Sequence, residues 1–231
     1  EQYKNGLLYN TERDTYLVTR LRRILARTVW AITKQMELGE FRTVDSEISF
    51  EIMHQTKGGD VVKELDRYNE DEDGNLLRLI GRIDRIDSLV KGDAVYLKVV
   101  DYKTGKKNIS LSDLYHGLQM QLMIYLKAGV EETAEKSGKL VIPAGVLYYN
   151  IDDPMVEGKG EKETVEHAIL KGLKMDGLLN EDDPVLPSLD SGFLADGGKL
   201  AADKSSYILP FATNKDGWLK KTSKTVTTKD F

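Results

Sequence analysis

The sequence lacks the features that mark secreted, membrane and metal–thiolate proteins. None of its 231 residues is cysteine, which excludes a disulfide framework, a thiolate zinc site and an iron–sulfur cluster held by this stretch alone. No apolar run is long enough to cross a membrane, and the first residues have neither the basic end nor the apolar stretch of a signal peptide. Together these absences predict a cytoplasmic protein.

The sequence also lacks a glycine-rich phosphate loop, an initiator methionine and an excess of positive charge. Without the loop, ATP hydrolysis is not expected within this stretch. Because the chain begins with Glu1, we expect a fragment of a longer polypeptide or a processed product. Its 33 basic and 38 acidic residues give a net charge of -5, so any binding to nucleic acid must rely on local patches of positive charge.

The order of hydrophobic patterns predicts a single α/β domain. With 40% hydrophobic residues, the chain can bury one good core. Apolar residues recur at helical spacing from an N-cap at Thr11 to Gly39, which predicts a long amphipathic helix. Strand patterns follow, then a helix over about residues 112–127 or beyond, a strand over 144–152 and a helix over about 161–175. We therefore expect a mixed central sheet flanked by helices.

Three segments divide this domain. Residues 1–40 are predicted to form the N-terminal helix, residues 41–176 the catalytic core, and residues 177–231 a turn-rich C-terminal extension to which no elements are assigned. The polar side of the first helix is interpreted as a solvated face rather than as a ridge that contacts phosphates. Its basic residues are Arg20, Arg22, Arg23 and Arg27.

The most informative stretch is "LLRLIGRIDRIDSLVKGDAVYLKVVDYKTG" at residues 76–105, which reads as two long strands. A Gly-Asp pair between apolar runs favours a two-residue hairpin turn at Gly92 and Asp93. Side chains alternate along each strand, so the register of this hairpin gathers six of them on one face. The facing pairs are Asp84 with Asp101, Arg82 with Lys103, and Ile86 with Val99.

The two facing acids predict a metal site. Carboxylates whose β-carbons are about 4.5–5.5 Å apart repel each other unless a positive group lies between them. Asp84 and Asp101 would therefore hold Mg²⁺ or Mn²⁺, which suits one or two carboxylates, water and substrate phosphate. Lys103 would stand beside the attacking water, as phosphodiester hydrolysis requires. The alternative is a solvated charge cluster in which Arg82, Arg85 and Lys103 neutralise the acids.

Three motifs together resemble the PD-(D/E)XK nuclease superfamily, and within it the RecB-like nuclease domains of AddB-type helicase–nuclease proteins. They are "GRIDRID" at residues 81–87, "VVDYKTG" at 99–105 and "GLQMQLMIYL" at 117–126. The segments "PAGVLYYNI" and "KMDGLL" are similar to downstream parts of the same proteins. The resemblance therefore covers most of the chain.

The resemblance implies a Mg²⁺-dependent deoxyribonuclease with a restriction-endonuclease-like core. Asp84, Asp101 and Lys103 would be its catalytic residues, and the backbone carbonyl of Tyr102 would join the two acids as a metal ligand. Without the resemblance, the glutamine and tyrosine of the third motif would be interpreted as the polar edge of a core helix. The residues that would contact DNA are Gln121, Tyr125, Gln119 and Lys106.

The resemblance also implies partners and cofactors. A single DNA strand would enter the active site, delivered by a helicase motor on an AddA-like partner subunit during double-strand break repair and recombination. The rival interpretation is a catalytically inactive scaffold or DNA-binding module that keeps the nuclease fold. AddB-type proteins hold an iron–sulfur cluster through cysteines on both sides of this domain, and this chain has none. We expect either a chain that ends before those ligands or a homologue without the cluster.

Other features are less specific. RecB-like nucleases often have a histidine on a helix upstream of these motifs, but the three histidines here, His54, His116 and His167, stand in other contexts. Glu47 is either an accessory ligand or an exposed strand carboxylate, and the second is favoured. Trp30 and Trp218 are expected to anchor cores.

Overall fold

A computed structural model describes residues 11–57, 60–64, 75–156, 162–195 and 200–231. Five α-helices and seven β-strands lie within these ranges. The helices are α1 (Glu12–Glu37), α2 (Leu111–Tyr115), α3 (Gln121–Ser137), α4 (Lys162–Gly172) and α5 (Val185–Leu189). The strands are β1 (Arg42–Lys57), β2 (Asp60–Glu64), β3 (Asn75–Lys91), β4 (Ala94–Lys103), β5 (Leu140–Asn150), β6 (Asp176–Asn180) and β7 (Thr225–Val226).

One mixed sheet contains all seven strands, in the order β2-β1-β3-β4-β5-β6-β7. β4 pairs with β5 in parallel, and β6 with β7, whereas the remaining neighbours are antiparallel. α2 and α3 lie in the crossover between β4 and β5, since parallel strands need a long connection. The predicted α/β fold with a mixed sheet and flanking helices is confirmed. Within the described residues, no helix is long and apolar enough to cross a membrane.

The first helix begins where its sequence predicts, but its apolar stripe is only partly buried. Thr11 is extended and its side chain accepts a hydrogen bond from the backbone of Asp14, which caps the helix. Leu17 and Leu21 are 42% and 57% exposed, whereas Ala31 in the second half is fully buried. Helical spacing identified the stripe, but it could not show that only the second half is covered, where Ala31 packs with Leu170 and Leu173.

Two of the arginines of α1 make specific contacts. Arg23 and Arg27 both bind the carboxylate of Asp153, which follows β5. Arg27 also donates a hydrogen bond to the carbonyl of Pro154 at 3.0 Å. These contacts attach the helix to the chain beyond β5, so this part of its polar side is not simply a solvated face.

β3 and β4 form the predicted hairpin. Gly92 has a φ of 61°, in the left-handed region that glycine adopts readily and that such a turn requires. The paired residues run from Lys91 with Ala94 at the turn to Arg85 with Val100. The predicted register is therefore confirmed over this part of the hairpin.

The sheet has a core on each face. On the face covered by α3, Leu97 and Val99 pack with Leu122. On the other face, Val100 and Leu147 pack with residues of the C-terminal segment. Because β4 is covered on both sides, its sequence is a nearly continuous apolar run.

Two predicted helices differ from those observed. The helix expected over residues 112–127 is divided into α2 and α3, because the intervening turn contains Gly117 with a φ of 73°. α4 ends at Gly172, and residues 176–180 form β6 instead of a loop. Residues 176–180 form a strand because they pair with residues that are distant in the sequence, which local patterns do not reveal.

The C-terminal segment completes the sheet. β6 begins at Asp176, the last residue of the predicted core, and continues into the predicted extension, and β7 is the edge strand beyond β6. Lys224 binds both carboxylate oxygens of Asp176 at 2.6 and 2.7 Å. Trp218 is 74% exposed, so the prediction that it anchors a core is wrong, whereas Trp30 packs against the buried cluster around Ala31.

Candidate active site

Asp101 lies near the end of β4, on the face covered by α3, and only 2% of the residue is exposed. Its Oδ2 is 2.7 Å from the Nζ of Lys103, and its Oδ1 accepts a long 3.5 Å hydrogen bond from Gln121. Burial raises the pKa of the Asp101 carboxyl and the charge of Asp84 raises it further, while Lys103 opposes both effects. A buried acid with a raised pKa is typical of functional sites.

Asp84 lies on β3, one position beyond the last paired residues of the hairpin. Continuing that register by one position would place it opposite Asp101, and its charge acts on the Asp101 carboxyl. Its Oδ2 accepts a hydrogen bond of 2.8 Å from the backbone N–H of Tyr102. The N–H and C=O of one strand residue point to the same side, so the Tyr102 carbonyl is also directed toward β3. The three predicted metal ligands are thus brought to one place.

The site fits a divalent cation. Oδ2 of Asp101 is buried, and the ammonium of Lys103 lies 2.7 Å from it. This one ammonium stands beside two carboxylates, since the charge of Asp84 also acts on Asp101, so a bound cation would balance the negative charge that remains. The described residues contain no group of three or more His, Asp or Glu side chains able to hold a metal, so the protein would supply two carboxylates. That number is common for Mg²⁺.

Lys103 extends from the same strand toward both Asp101 and α3. Its ammonium lies 5.7 Å from the centroid of the Tyr148 ring and donates a hydrogen bond to the Oε1 of Gln121 at 3.3 Å. Burial would lower the pKa of Lys103, but the contact with Asp101 outweighs it and the pKa is raised. Lys103 is therefore an ammonium in this arrangement, suited to stabilise negative charge.

Gln121 begins α3 and Tyr125 lies one turn later on the same side of the helix. Gln121 contacts Lys103 and Asp101, and its Nε2 also donates to the Tyr125 hydroxyl at 2.8 Å. The Tyr125 ring packs edge-on against Phe50 of β1, with centroids 5.5 Å apart. The pair thus connects the catalytic face to the core of the sheet.

Gln119 and Lys106 lie further from these residues. The Gln119 amide accepts a hydrogen bond from the backbone of Ser110 and donates one to Asp113, each at 3.1 Å. Both ends of that amide therefore support the start of α2. Lys106 is exposed in the loop after β4. Their contacts with DNA stay a prediction.

Glu47 lies between residues of β1 that pair with the neighbours of Asp84. It has a φ of 57°, which is unusual for a residue with a side chain, and its carboxylate binds Arg82 at 2.7 Å. Its side chain is 57% exposed, in agreement with an exposed strand carboxylate. Arg82 is bound here and Arg85 is bound to Asp87, so Lys103 is the cation of the charge-cluster alternative that pairs with Asp101.

A buried ion cluster supports the site from the opposite face of the sheet. Asp87 binds Arg85 at 2.6 Å and Lys98 at 3.1 Å. Arg85 also donates a hydrogen bond to the Tyr102 hydroxyl at 3.1 Å. Burial alone would raise the pKa of Asp87, but the charges of Lys98 and Arg85 hold it well below its usual range. The sequence signal for this cluster was the second acid of "GRIDRID", which alternation places on the other face from Asp84.

Two carboxylates and a lysine on adjacent strands, bordered by a Gln-x-x-x-Tyr helix, indicate a nuclease fold. A family model described as the PD-(D/E)XK nuclease superfamily matches residues 2–205. The chain belongs to that superfamily, and the resemblance noted from its motifs is confirmed.

The chain is also similar to bacterial proteins that are named as subunits of an ATP-dependent helicase/deoxyribonuclease. It is 40% identical to the one from Lachnoclostridium phytofermentans over 224 residues, which are 96% of this chain and 18% of that protein. It is 39% identical to those from Alkaliphilus oremlandii and Acetivibrio thermocellus, in each case over 100% of this chain and 19% of the relative. The chain thus spans less than a fifth of the length of these relatives.

Proposed function

We propose that this chain is the DNA exonuclease domain of a bacterial helicase–nuclease complex. It would hydrolyse phosphodiesters of a single DNA strand that a helicase motor on an AddA-like partner subunit delivers, during repair and recombination of double-strand breaks. The observation that carries this proposal is the buried carboxylate of Asp101, with the ammonium of Lys103 2.7 Å from its Oδ2 and the charge of Asp84 acting on it. The names of the relatives support the same activity.

Asp84, Asp101 and the carbonyl of Tyr102 would hold the metal, Mg²⁺ or Mn²⁺. When bound, such an ion supplies Lewis-acid activation of the phosphodiester and lowers the pKa of water. The two carboxylates belong to adjacent strands, so the sheet sets their separation before any ligand arrives. This rigidity favours preorganisation of the charges that the transition state requires.

Lys103 would orient the attacking water and stabilise the charge that develops on the phosphate oxygens. Its raised pKa keeps it protonated at neutral pH, which suits electrostatic stabilisation better than proton abstraction. Gln121, through its contacts with both Asp101 and Lys103, would hold their relative positions. Tyr125, Gln119 and Lys106 would contact the DNA backbone.

An isosteric substitution tests the assignment. We expect Asp101→Asn, introduced into the intact protein that contains this domain, to lower the rate of single-strand cleavage in Mg²⁺ or Mn²⁺ by at least about a hundredfold. Asp93→Asn is the matched control, because Asp93 is exposed in the hairpin turn. Equal cleavage by wild type and Asp101→Asn would reject the nuclease assignment. Binding of DNA by a wild type that neither cleaves it nor binds metal in a calorimetric titration would instead identify an inactive scaffold.

A further inference from the structure

A polar cleft of about 370 Å³ opens beside the strand ends that carry the candidate active site. Its volume lies in the range of pockets that bind small ligands or parts of larger ones. Its polar lining includes Asn108, Asn150, Lys174, Asp176, Thr222 and Lys224. Neither the metal site nor the Gln-x-x-x-Tyr pair accounts for these residues.

The register of the sheet relates the cleft to the active site. Tyr148 pairs with Asp101 on one side and with Asp176 on the other, and Asn150 pairs with Lys103. Paired residues of neighbouring strands point to the same face of a sheet. The cleft therefore lies at the same end of the strands as the candidate active site, and Met175 and Phe211 of its lining belong to the core on the other face of the sheet.

The loop after β4 lies between the candidate active site and the cleft. The Asn150 side chain accepts a hydrogen bond from the backbone N–H of Lys107 at 2.8 Å and donates one to its carbonyl at 3.0 Å. Asn108, the next residue, lines the cleft. A DNA strand bound at the candidate active site would therefore have to pass only this loop to reach the cleft.

The charges in the cleft are unbalanced. Lys224 is neutralised by Asp176, which it contacts at both carboxylate oxygens, and it also donates to the carbonyl of Ile109 at 3.0 Å. Lys174 is half-buried and has no hydrogen bond or ion pair within the part of the chain that the structure describes. Burial and the neighbouring Lys171 lower the pKa of Lys174, and the more distant charges of Asp176 and Asp190 offset this only in part. A bound anion would give Lys174 a direct partner.

We infer that this cleft binds a backbone phosphate of the single strand, away from the phosphate that is cleaved, with Lys174 as its principal cation. The inference rests on the proposed nuclease function. The side chains of Asn108 and Thr222 have no hydrogen bonds within the described residues and can donate to phosphate or sugar oxygens, the groups that position a nucleic acid on a protein. A second phosphate contact would fix the strand as it crosses the metal site.

The test measures DNA binding separately from cleavage. Affinity for a single-stranded oligonucleotide is determined with the intact protein in EDTA over a series of salt concentrations. We expect Lys174→Gln to weaken binding on the order of fivefold and to reduce the salt dependence of log K by about 0.7, the value for one phosphate contact on a single strand. Lys139→Gln is the matched control, since Lys139 is exposed at the other end of β5, and it should leave both quantities unchanged.

The outcomes separate the two proposals. A wild type that fails to cleave DNA with metal overturns the proposed function, whereas an unchanged salt dependence in Lys174→Gln overturns the cleft inference whether or not cleavage occurs. Competition between inorganic phosphate and the oligonucleotide distinguishes the two ligands. If Lys174→Gln abolishes the effect of inorganic phosphate but leaves DNA affinity unchanged, the cleft binds free phosphate and the inference is overturned. If Lys174→Gln does not fold, Thr222→Glu on the exposed rim replaces it, and that variant must also bind DNA more weakly.

Discussion

At the scale of single residues, the candidate site pairs one buried anion, Asp101, with one cation of the same strand, Lys103. Asp101 is desolvated and faces a second acid, which disfavours its charged form, and Lys103 alone among its close neighbours opposes this. A bound cation would take over much of that role. The lysine would then be free to act on the substrate instead of on the acid.

This division of labour predicts different effects for the two residues. We expect Lys103→Gln to lower cleavage about a hundredfold while metal affinity is kept or raised, because a positive charge beside the cation site is removed. Asp101→Asn should lower both. Calorimetric titration with Mn²⁺ and a cleavage assay on the intact protein measure the two quantities, with Lys215→Gln in an exposed loop as control. Equal loss of metal affinity in both variants would contradict the role given to Lys103.

Gly81 illustrates a residue whose value lies in having no side chain. A β-carbon there would lie 2.5 Å from the Phe50 ring and 3.3 Å from the Tyr125 ring. We expect Gly81→Ala to destabilise the domain by about 1–3 kcal/mol and to reduce cleavage, because Tyr125 and its partner Gln121 must move. Gly105→Ala is the control, as nothing lies within 4 Å of a β-carbon at that position. Hydrogen exchange of β1 and β3 in the intact protein measures the stability change, and equal protection in both variants would refute the explanation.

At the scale of elements, the hairpin of β3 and β4 carries different charged groups on its two faces. One face presents the carboxylates of the site, and the other buries the cluster of Arg85, Asp87 and Lys98. Tyr102 links them, since its backbone binds Asp84 and its hydroxyl accepts from Arg85. The position of Asp84 and of the Tyr102 backbone therefore depends on charges that lie on the other face of the sheet.

We expect Asp87→Asn to destabilise the domain by about 3–5 kcal/mol at pH 7, because it leaves two buried cations without their anion. The pKa of Asp87 is lowered in the folded protein, so its stabilisation is present above its unfolded pKa of about 3.9 and decreases as the pH falls below that value. The difference between wild type and variant should therefore shrink at acid pH. This stability difference is measured at pH 7 and pH 3.5 from the urea midpoint at which the amides of β3 and β4 lose protection from hydrogen exchange.

A difference between wild type and Asp87→Asn that stays constant with pH would contradict this account. Asp93→Asn is again the control, since Asp93 is exposed. It should alter stability by less than about 0.5 kcal/mol at either pH.

The hairpin and the first helix could be predicted because their signals are local. Alternation together with a Gly-Asp turn predicts the register that pairs Lys91 with Ala94 and Arg85 with Val100, and Thr11 caps α1 through its own side chain. The break at Gly117 was missed, since the apolar pattern continues through it. The partners of Asp87 could not be predicted either, because Lys98 belongs to the other strand and its burial depends on covering elements far along the chain.

At the scale of the whole molecule, the sheet is completed by a segment whose sequence predicted only turns. β6 and β7 extend the sheet beyond β5, and buried residues of the C-terminal segment form much of the core on the face opposite α3. Ile208, Leu209 and Phe211 are each 1% exposed. Such short apolar pieces have no periodicity to recognise, yet they cover the back of the strands that carry the site.

The C-terminal segment should therefore contribute to stability through its buried aromatic residues and not through its exposed ones. Phe193 is 2% exposed and packs against Phe211, with ring centroids 4.5 Å apart. We expect Phe193→Ala to cost about 3–5 kcal/mol, whereas Trp218→Ala should change stability by less than about 0.5 kcal/mol. Hydrogen exchange of the β5 and β6 amides in the intact protein separates the two variants, because opening of this core exposes the backbone hydrogen bonds between these strands to solvent. Faster exchange in both variants, or in neither, would mean that the segment is not part of the core that supports the catalytic strands.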